Sequence, residues 1–264
     1  MKIIILTVDH LYANVVLKEL IKGFREDIRQ VVVSDVILDR QSFPASLKKY
    51  LEVSGIYYFL AQTIKLEIYK ILSSVIKRKE SKFYSFKELL KTEKIPLSNE
   101  ANVNNKKFLS QVAEMKPDLI ISVFFNQILS PKLIKLSKRG AINIHPAFLP
   151  DYKGVSPVFW ALVNGEKSGG VSIHYINEGI DTGSIIVRKK ITIKKNDTEH
   201  SLYLRSAKAG SGLLLKAVSD IKRGRVKKIN NLGGRYFSLP AKKAVNKFKK
   251  GGRHFFNLKE YIFN

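Results

Sequence analysis

The sequence predicts an α/β fold built on a mostly parallel central sheet, and three features carry that prediction. Residues 2–8 (KIIILTV) are a short apolar run between polar residues, the pattern of a buried strand. Residues 14–22 (NVVLKELIK) follow with helical spacing, and residues 30–37 (QVVVSDVI) form a second apolar run. Strand, helix and strand at this spacing make a βαβ unit, whose crossover leaves the two strands parallel. Residues 117–125 (PDLIISVFF) then supply an apolar run with no alternation, as expected of a central strand covered on both faces.

The remaining elements follow in order. Gly23 reads as the stop of the first helix. The turn before that helix, Thr7 to Tyr12, has no glycine, so the pyrophosphate cradle of a dinucleotide site is missing and NAD and FAD are discounted. Residues 45–78 read as a long helical excursion packed on the sheet. The alternative is a membrane-surface or partner-binding face carrying Tyr57, Tyr58, Phe59, Lys65 and Lys70. Ser85 is placed as the cap of a short helix, residues 95–97 as a brief edge strand and residues 106–115 as another helix. Ser130-Pro131 is a cap followed by proline at the first helical position, with Gly140 as the stop. Residues 141–145 (AINIH) are a strand that Pro146 ends, and Ser156-Pro157 repeats the cap-and-proline device before a helix that Gly165 ends. Residues 171–176 and 184–193 are strands, and residues 201–222 a long helix.

Composition narrows the function classes. The 264 residues contain 47 Lys+Arg against 22 Asp+Glu, a formal net charge of +25, and no cysteine. A disulfide framework, a cysteine nucleophile and every cysteine-ligated metal site are thereby excluded. The first apolar stretch ends at Asp9 and His10, so no signal peptide is expected. The most apolar window, residues 55–76, carries Lys65, Glu67 and Lys70, so no transmembrane segment is expected and the protein is expected to be cytoplasmic. The charge favours anionic partners such as RNA, nucleotides, folates or anionic lipid. Residues 222–264 hold thirteen Lys and Arg against one acid, Glu260, with Tyr236, Phe237, Phe248, Phe255, Phe256, Tyr261 and Phe263 between them. They are expected to form a short basic appendage to a catalytic domain spanning residues 1–221. Its aromatics are expected to pack on that domain; a nucleic-acid surface is the alternative.

The chemistry concentrates in two places. Asn143 and His145 lie two apart on a strand, so they share a face, while Ile142 and Ile144 take the other. They are expected at the carboxyl end of a parallel strand, where open α/β sheets hold their sites. The second place is residues 177–183 (NEGIDTG), in which Gly179 and Gly183 surround Asp181. An amide, an imidazole and a carboxylate suit acyl-type transfer without a covalent intermediate. Asn143 can stabilise an oxyanion, His145 can take a proton from an attacking amine, and Asp181 can hold the imidazole and stabilise its charged form.

The segment Asn143-Ile144-His145-Pro146-Ala147-Phe148-Leu149-Pro150-Asp151-Tyr152-Lys153-Gly154, followed by residues 170–174 (GVSIH) and 178–183 (EGIDTG), resembles the formyltransferases that use 10-formyltetrahydrofolate. Their signature is N-x-H-P-x-x-L-P-x-Y-x-G with a downstream D-x-G. The resemblance implies a Rossmann-like, three-layer formyltransferase domain with Asn143, His145 and Asp181 on the family's catalytic triad. It implies that Phe125, Gln127, Ile128 and Leu129 belong to the segment whose backbone meets the pterin of the folate donor. Glu178, Gly179 and Ile180 belong to the opposite wall, and Pro150, Tyr152, Lys153 and Gly154 to the substrate loop. No metal is implied.

The acceptor implied by the resemblance is an amine: methionyl-tRNA, an amino-sugar nucleotide or, least expected, glycinamide ribonucleotide. No DNA partner is expected. The overall pattern is similar to the amino-terminal domain of methionyl-tRNA formyltransferases, and +25 favours a polyanion. Only some forty residues follow Lys222, too few for the carboxyl-terminal barrel usual in those enzymes, and Lys153 stands where they carry arginine. His174 and the Phe159-Trp160 pair look more like the sugar-modifying branch. The methionyl-tRNA formyltransferase-like assignment is placed first and the amino-sugar nucleotide second; a formyl-folate hydrolase and a non-catalytic RNA- or membrane-binding protein complete the readings.

Overall fold

A computed structural model describes residues 1–34 and 43–262. In chain order the elements are β1 (Ile3–Thr7), α1 (Leu11–Phe24), β2 (Ile28–Val33), α2 (Phe43–Val75), α3 (Phe86–Thr92), β3 (Leu97–Asn99), α4 (Lys106–Met115), β4 (Leu119–Val123), α5 (Pro131–Lys135), β5 (Ala141–His145), β6 (Lys153–Gly154), α6 (Pro157–Val163), β7 (Ser168–Tyr175), β8 (Ile185–Thr192), α7 (Glu199–Lys222), β9 (Tyr236–Phe237), α8 (Lys242–Lys250) and α9 (Lys259–Ile262). The main sheet runs β3-β2-β1-β4-β5-β7-β8. Its first five strands are mutually parallel, and β7 and β8 close the far side antiparallel. The strand order reverses between β1 and β4, the doubly wound arrangement expected from a βαβ opening.

The two faces of this sheet explain where a site can form. Ile3, Ile5, Leu119, Ile121, Ile142, Ile144, Val171 and Ile173 all point to one face, where α1 and α7 cover them in a single core. On the other face Ile4, Leu6, Val32 and Ile120 are covered by Phe108 and Val112 of α4 and Leu133 of α5. That second face changes character at its β4–β5–β7 end. Register places Ser122 beside Asn143, Asn143 beside His174, and His145 beside Ser172. The strand period of two therefore lines five polar side chains along one face. They belong under loops that can offer hydrogen bonds, rather than under an apolar helix.

Several sequence expectations shift in detail. Gly23 does not end α1; the helix continues to Phe24. A Cβ at Gly23 would lie 2.8 Å from Leu215 Cδ2, so its role is close packing of α1 on α7. The second strand spans Ile28–Val33, and residues 35–37 lie outside the described residues. The long helix is interrupted at Gly55, which takes φ of +81°. Ser156 occupies the N-cap position of α6 at φ of +53°, but its hydroxyl bonds Tyr58 OH at 2.9 Å instead of capping the helix. Asn143 lies in the middle of β5, so the site occupies a sheet face and reaches the strand's carboxyl end only at His145.

Residues after α7 return to the body of the protein. Val245, Phe248 and Phe255 join the main core, with Phe248 and Phe255 centred 5.0 and 6.1 Å from the Phe159 ring. Tyr261 stacks on His200 at 4.5 Å, while Phe263 lies outside the described residues. Among the described residues, no helix is long and apolar enough to cross a membrane, and no group of three or more metal-ligating side chains is placed to hold a metal.

Two histidines near the start of α1, the half-buried His10 and the buried His200, are held as neutral bases. His10 Nδ1 accepts the Ala13 N–H at 3.0 Å and so caps α1 where a dinucleotide enzyme would have its glycine turn. His200 Nδ1 faces the hydroxyls of Tyr12 at 2.9 Å and Tyr261 at 3.2 Å. Burial lowers His10 from 6.5 to about 4 and His200 from 6.5 to about 3. Between those values and 6.5 the unfolded chain binds more protons than the folded one. Stability is therefore full above pH 6.5 and falls as the pH drops through this window. At pH 5 the loss is roughly 2 kcal/mol for each imidazole. His200→Asn keeps an acceptor for the two tyrosines but does not titrate. Its melting temperature should fall less between pH 7 and pH 5 than that of the parent chain; an unchanged slope would refute the assignment.

Candidate active site

Three separate chain segments meet over the polar end of the sheet. β5 supplies Asn143 and His145, β7 supplies His174, and the 177–183 loop folds back across the face to bring in Asp181. Asp181 Oδ2 lies 3.5 Å from His145 Nδ1 and accepts the Gly154 N–H at 2.8 Å. Its Oδ1 lies 3.3 Å from His174 Nε2 and 3.4 Å from Asn143 Nδ2. The sequence expectation that Asn143, His145 and Asp181 converge is thus met in space, although Asp181 is 36 residues beyond His145 in the chain.

Hydrogen bonds set the orientation of each group. Ser122 Oγ donates to Asn143 Oδ1 at 2.8 Å, which turns the amide nitrogen of Asn143 toward the site. His145 Nε2 lies 2.8 Å from the Tyr152 carbonyl oxygen. A carbonyl can only accept, so Nε2 carries the hydrogen and Nδ1 keeps its lone pair. The same reasoning puts a hydrogen on His174 Nδ1, 2.7 Å from the Tyr175 carbonyl, and leaves His174 Nε2 facing Asn143 Nδ2 at 3.2 Å.

Burial governs the charge of this cluster. Desolvation lowers the His145 pKa below its ordinary 6.5 and outweighs the nearby Asp181 carboxylate, so the imidazole is a neutral base near pH 7. Burial alone would raise Asp181. The imidazoles of His145 and His174 and the Gly154 N–H outweigh it and hold the carboxyl below the usual carboxylate range. A proton arriving at His145 Nδ1 therefore lands beside an ionised carboxylate that stabilises the imidazolium.

A strap from the far end of the chain builds the other side of the site. Asn231 is buried, and its Nδ2 donates to the carbonyls of Asp181 at 2.9 Å and Gly183 at 2.8 Å. Lys153 Nζ donates to the carbonyls of Gly233 at 2.6 Å and Asn231 at 3.3 Å. The β6–β9 pairing sets Lys153 opposite Tyr236 and Gly154 opposite Phe237. Gly154 has φ of +93°, and a Cβ there would lie 2.3 Å from the Phe237 carbonyl oxygen. Only glycine permits both that backbone and that approach, which aims the Gly154 N–H at Asp181. Tyr152 stacks on Phe237 with ring centres 5.0 Å apart and donates from its hydroxyl to Glu166 at 2.5 Å.

The other expected residues have mixed placements. Lys153, assigned to the expected substrate loop, buries its ammonium against the strap. Pro150 turns the chain above β5. Gln127 uses its side chain to tie down its surroundings, accepting from Val103 N–H and donating to Ser34 Oγ and the Glu100 carbonyl. Phe125 and Leu129 pack into the core under α4 and α5. Ile128 and Ile180 are exposed apolar groups on the two expected pterin walls, and Glu178 and Gly179 are exposed beside Ile180. A cavity of about 270 Å³ opens behind the 146–152 turn, lined by Phe148, Tyr152, Glu166 and Lys190 among others; the triad residues do not line it. Sequence reasoning did not place His174, Ser122 or Asn231 in the site. His174 could have been found from the Ser172–His174 alternation along a strand that otherwise buries Val171 and Ile173. Asn231 had no local signal.

Comparison with known proteins adds the lineage. A family model described as "Formyl transferase" matches residues 64–218. The chain is 39% identical over 123 residues to the methionyl-tRNA formyltransferase of Halothermothrix orenii, a stretch covering 47% of this chain and 39% of that enzyme. It is 37% identical over 148 residues to the bifunctional polymyxin resistance protein ArnA of Wigglesworthia glossinidia brevipalpis, covering 56% of this chain and 23% of that protein. The chain thus spans less than half the length of either curated relative. The crystal structure of the formyltransferase PseJ from Anoxybacillus kamchatkensis, in complex with UDP-4,6-dideoxy-4-formamido-L-AltNAc and tetrahydrofolate, is 30% identical with a TM-score of 0.50, over 62% of this chain and 84% of that one. With a family match across more than half its length, the chain belongs to the formyl transferase family.

Proposed function

We propose that the protein transfers the formyl group of 10-formyltetrahydrofolate to the primary amine of an amino-sugar nucleotide, with Asn143, His145 and Asp181 as its catalytic residues. The observation that carries the reading is the meeting of an oriented amide, a neutral imidazole and an ionised carboxylate on one sheet face. The exposed Ile128 and Ile180 suit the flat, partly apolar pterin of the donor. PseJ supports the sugar acceptor, since this chain covers 84% of its length at 30% identity and that crystal contains a formamido sugar nucleotide.

Each residue then has a role in direct transfer. The acceptor amine attacks the formyl carbon. The carbonyl oxygen gains negative charge, and the Asn143 Nδ2–H groups stabilise it; one such donor is worth about 3 kcal/mol in the transition state. The attacking nitrogen loses a proton to His145 Nδ1, and Asp181 stabilises the resulting imidazolium. Collapse of the tetrahedral intermediate breaks the bond to the folate nitrogen, which takes up a proton as tetrahydrofolate leaves. The Gly154 N–H and the Asn231 clamp on the 181–183 carbonyls keep the carboxylate placed throughout.

A second reading, methionyl-tRNA as acceptor, is favoured by the 39% identity to the H. orenii enzyme and by the net charge of +25. Tetrahydrofolate release, measured with UDP- and dTDP-linked amino sugars and with methionyl-tRNA offered separately, decides between them. Turnover on a sugar nucleotide supports the proposal. Turnover on methionyl-tRNA alone overturns the acceptor and leaves formyl transfer standing. Release without any acceptor shows hydrolysis.

His145→Ala should lower kcat by about 10²- to 10⁴-fold while donor affinity stays within a few-fold; unchanged turnover would remove His145 from the mechanism. Because burial lowers the His145 pKa, activity should hold from pH 7 to pH 6.5 and fall only at lower pH, as the imidazole becomes protonated. A half-maximal point above 6.5 would contradict this. Asn231→Ala frees the Asp181 loop from the strap. It should reduce kcat by about tenfold or more with a smaller change in the donor KM; full activity in that variant would show that the strap does not position Asp181.

A further inference from the structure

The longest helix carries a surface that the active site does not use. α2 packs on the body through Tyr58, Ala61, Lys65 and Tyr69, which are buried, and Lys65 pairs with buried Glu199 at 2.6 Å. On its other side Ile56, Leu60, Ile64, Ile71 and Val75 are exposed by 59, 46, 44, 62 and 67%. Their spacing of four, four, seven and four residues confines them to about 100° of arc, along about 28 Å of helix. An aliphatic stripe of that length on a water-facing side, broken only by the paired Glu67, marks an interaction surface.

The neighbouring helix is entirely basic where it is charged. α8 lies beside α2, with Lys242 Cγ 3.3 Å from the Cβ position of Gly55 and Lys249 Nζ 4.0 Å from the centre of the Tyr57 ring. Lys242, Lys243, Lys247, Lys249 and Lys250 are all exposed, and α8 has no acidic residue. Within the α2 stripe the acid is Glu67, which Lys70 neutralises at 2.8 Å.

We infer that α2 and α8 together form a docking face for an anionic lipid bilayer. The aliphatic stripe lies along the headgroup–acyl boundary and the α8 lysines meet the lipid phosphates. Charge complementarity selects this occupant. A second copy would set another chain of net charge +25 against this basic face. Single-stranded nucleic acid is bound through stacking aromatics between cations, and this stripe is aliphatic. The helix lies on the bilayer rather than across it, since its other side is committed to the protein core.

Co-sedimentation of the full chain with vesicles tests the inference, using phosphatidylcholine alone and phosphatidylcholine mixed with phosphatidylglycerol. The chain should bind the mixed vesicles and not the neutral ones, with binding weakening steeply as salt is raised. The exposed pair Leu60→Gln/Ile71→Gln should reduce the bound fraction by about tenfold. Lys243→Gln/Lys247→Gln should reduce it further at moderate salt, and both variants should keep parental formyl transfer. No binding to the mixed vesicles, or equal binding by the Leu60→Gln/Ile71→Gln variant, overturns the inference. A dimer in sedimentation velocity that this variant dissolves would assign the stripe to a second copy instead.

Discussion

The carboxylate of Asp181 is nearly sealed from water, and an ionised group in that position must be met by donors on every side. Much of the site's construction answers that demand. The Gly154 N–H and the Asn143 amide donate to the two oxygens, and Asn231 pins the backbone carbonyls of Asp181 and Gly183. Removing any one contact leaves a buried charge less satisfied, and this couples distant parts of the chain to one side chain. The same burial keeps His145 neutral until a proton reaches it, so one desolvated pocket sets the state of both the base and its stabiliser.

The sheet makes that pocket possible by being different on its two faces. One face is apolar from β2 to β7 and is filled by α1 and α7. The other is apolar only as far as β4, where α4 and α5 cover it. Beyond β4 the register sets Ser122, Asn143, His174, His145 and Ser172 side by side. Loops roof this half because their free backbone groups can bond what a helix cannot. Ser172 shows the principle on a small scale: its hydroxyl donates to the Ala147 carbonyl and accepts the Leu149 N–H, which shapes the turn after His145.

The basic carboxyl-terminal region divides its work. Residues 229–237 bond to the site loops, Val245, Phe248 and Phe255 fill the core around Phe159, and the α8 lysines remain on the outside. A region of extreme composition is therefore continuous with the catalytic body in its packing, while its charge is reserved for the surface.

How much of this was legible depends on the range of the interaction. Strands, helices and the shared face of Asn143 and His145 follow from local periodicity, because a side chain's direction is set by its own backbone. The N-x-H-P-x-x-L-P-x-Y-x-G pattern with its downstream D-x-G marked Asn143, His145 and Asp181 as candidates through its resemblance to a family signature. Gly23 and the side chains of Lys153 and Ser156 take roles that local sequence does not show, because each meets a partner far away in the chain, respectively Leu215, the carbonyls of Asn231 and Gly233, and Tyr58. Asn231 carried no mark at all, since a lone asparagine becomes a clamp only when the chain returns past Asp181. The amino-acid sequence by itself determined the α/β class, the order of its elements and which residues to seek together at the candidate site. Only the tertiary structure decided the His145 tautomer, the charge state of the pair and the strap that holds Asp181, because burial and long-range hydrogen bonds exist only once the chain has closed on itself.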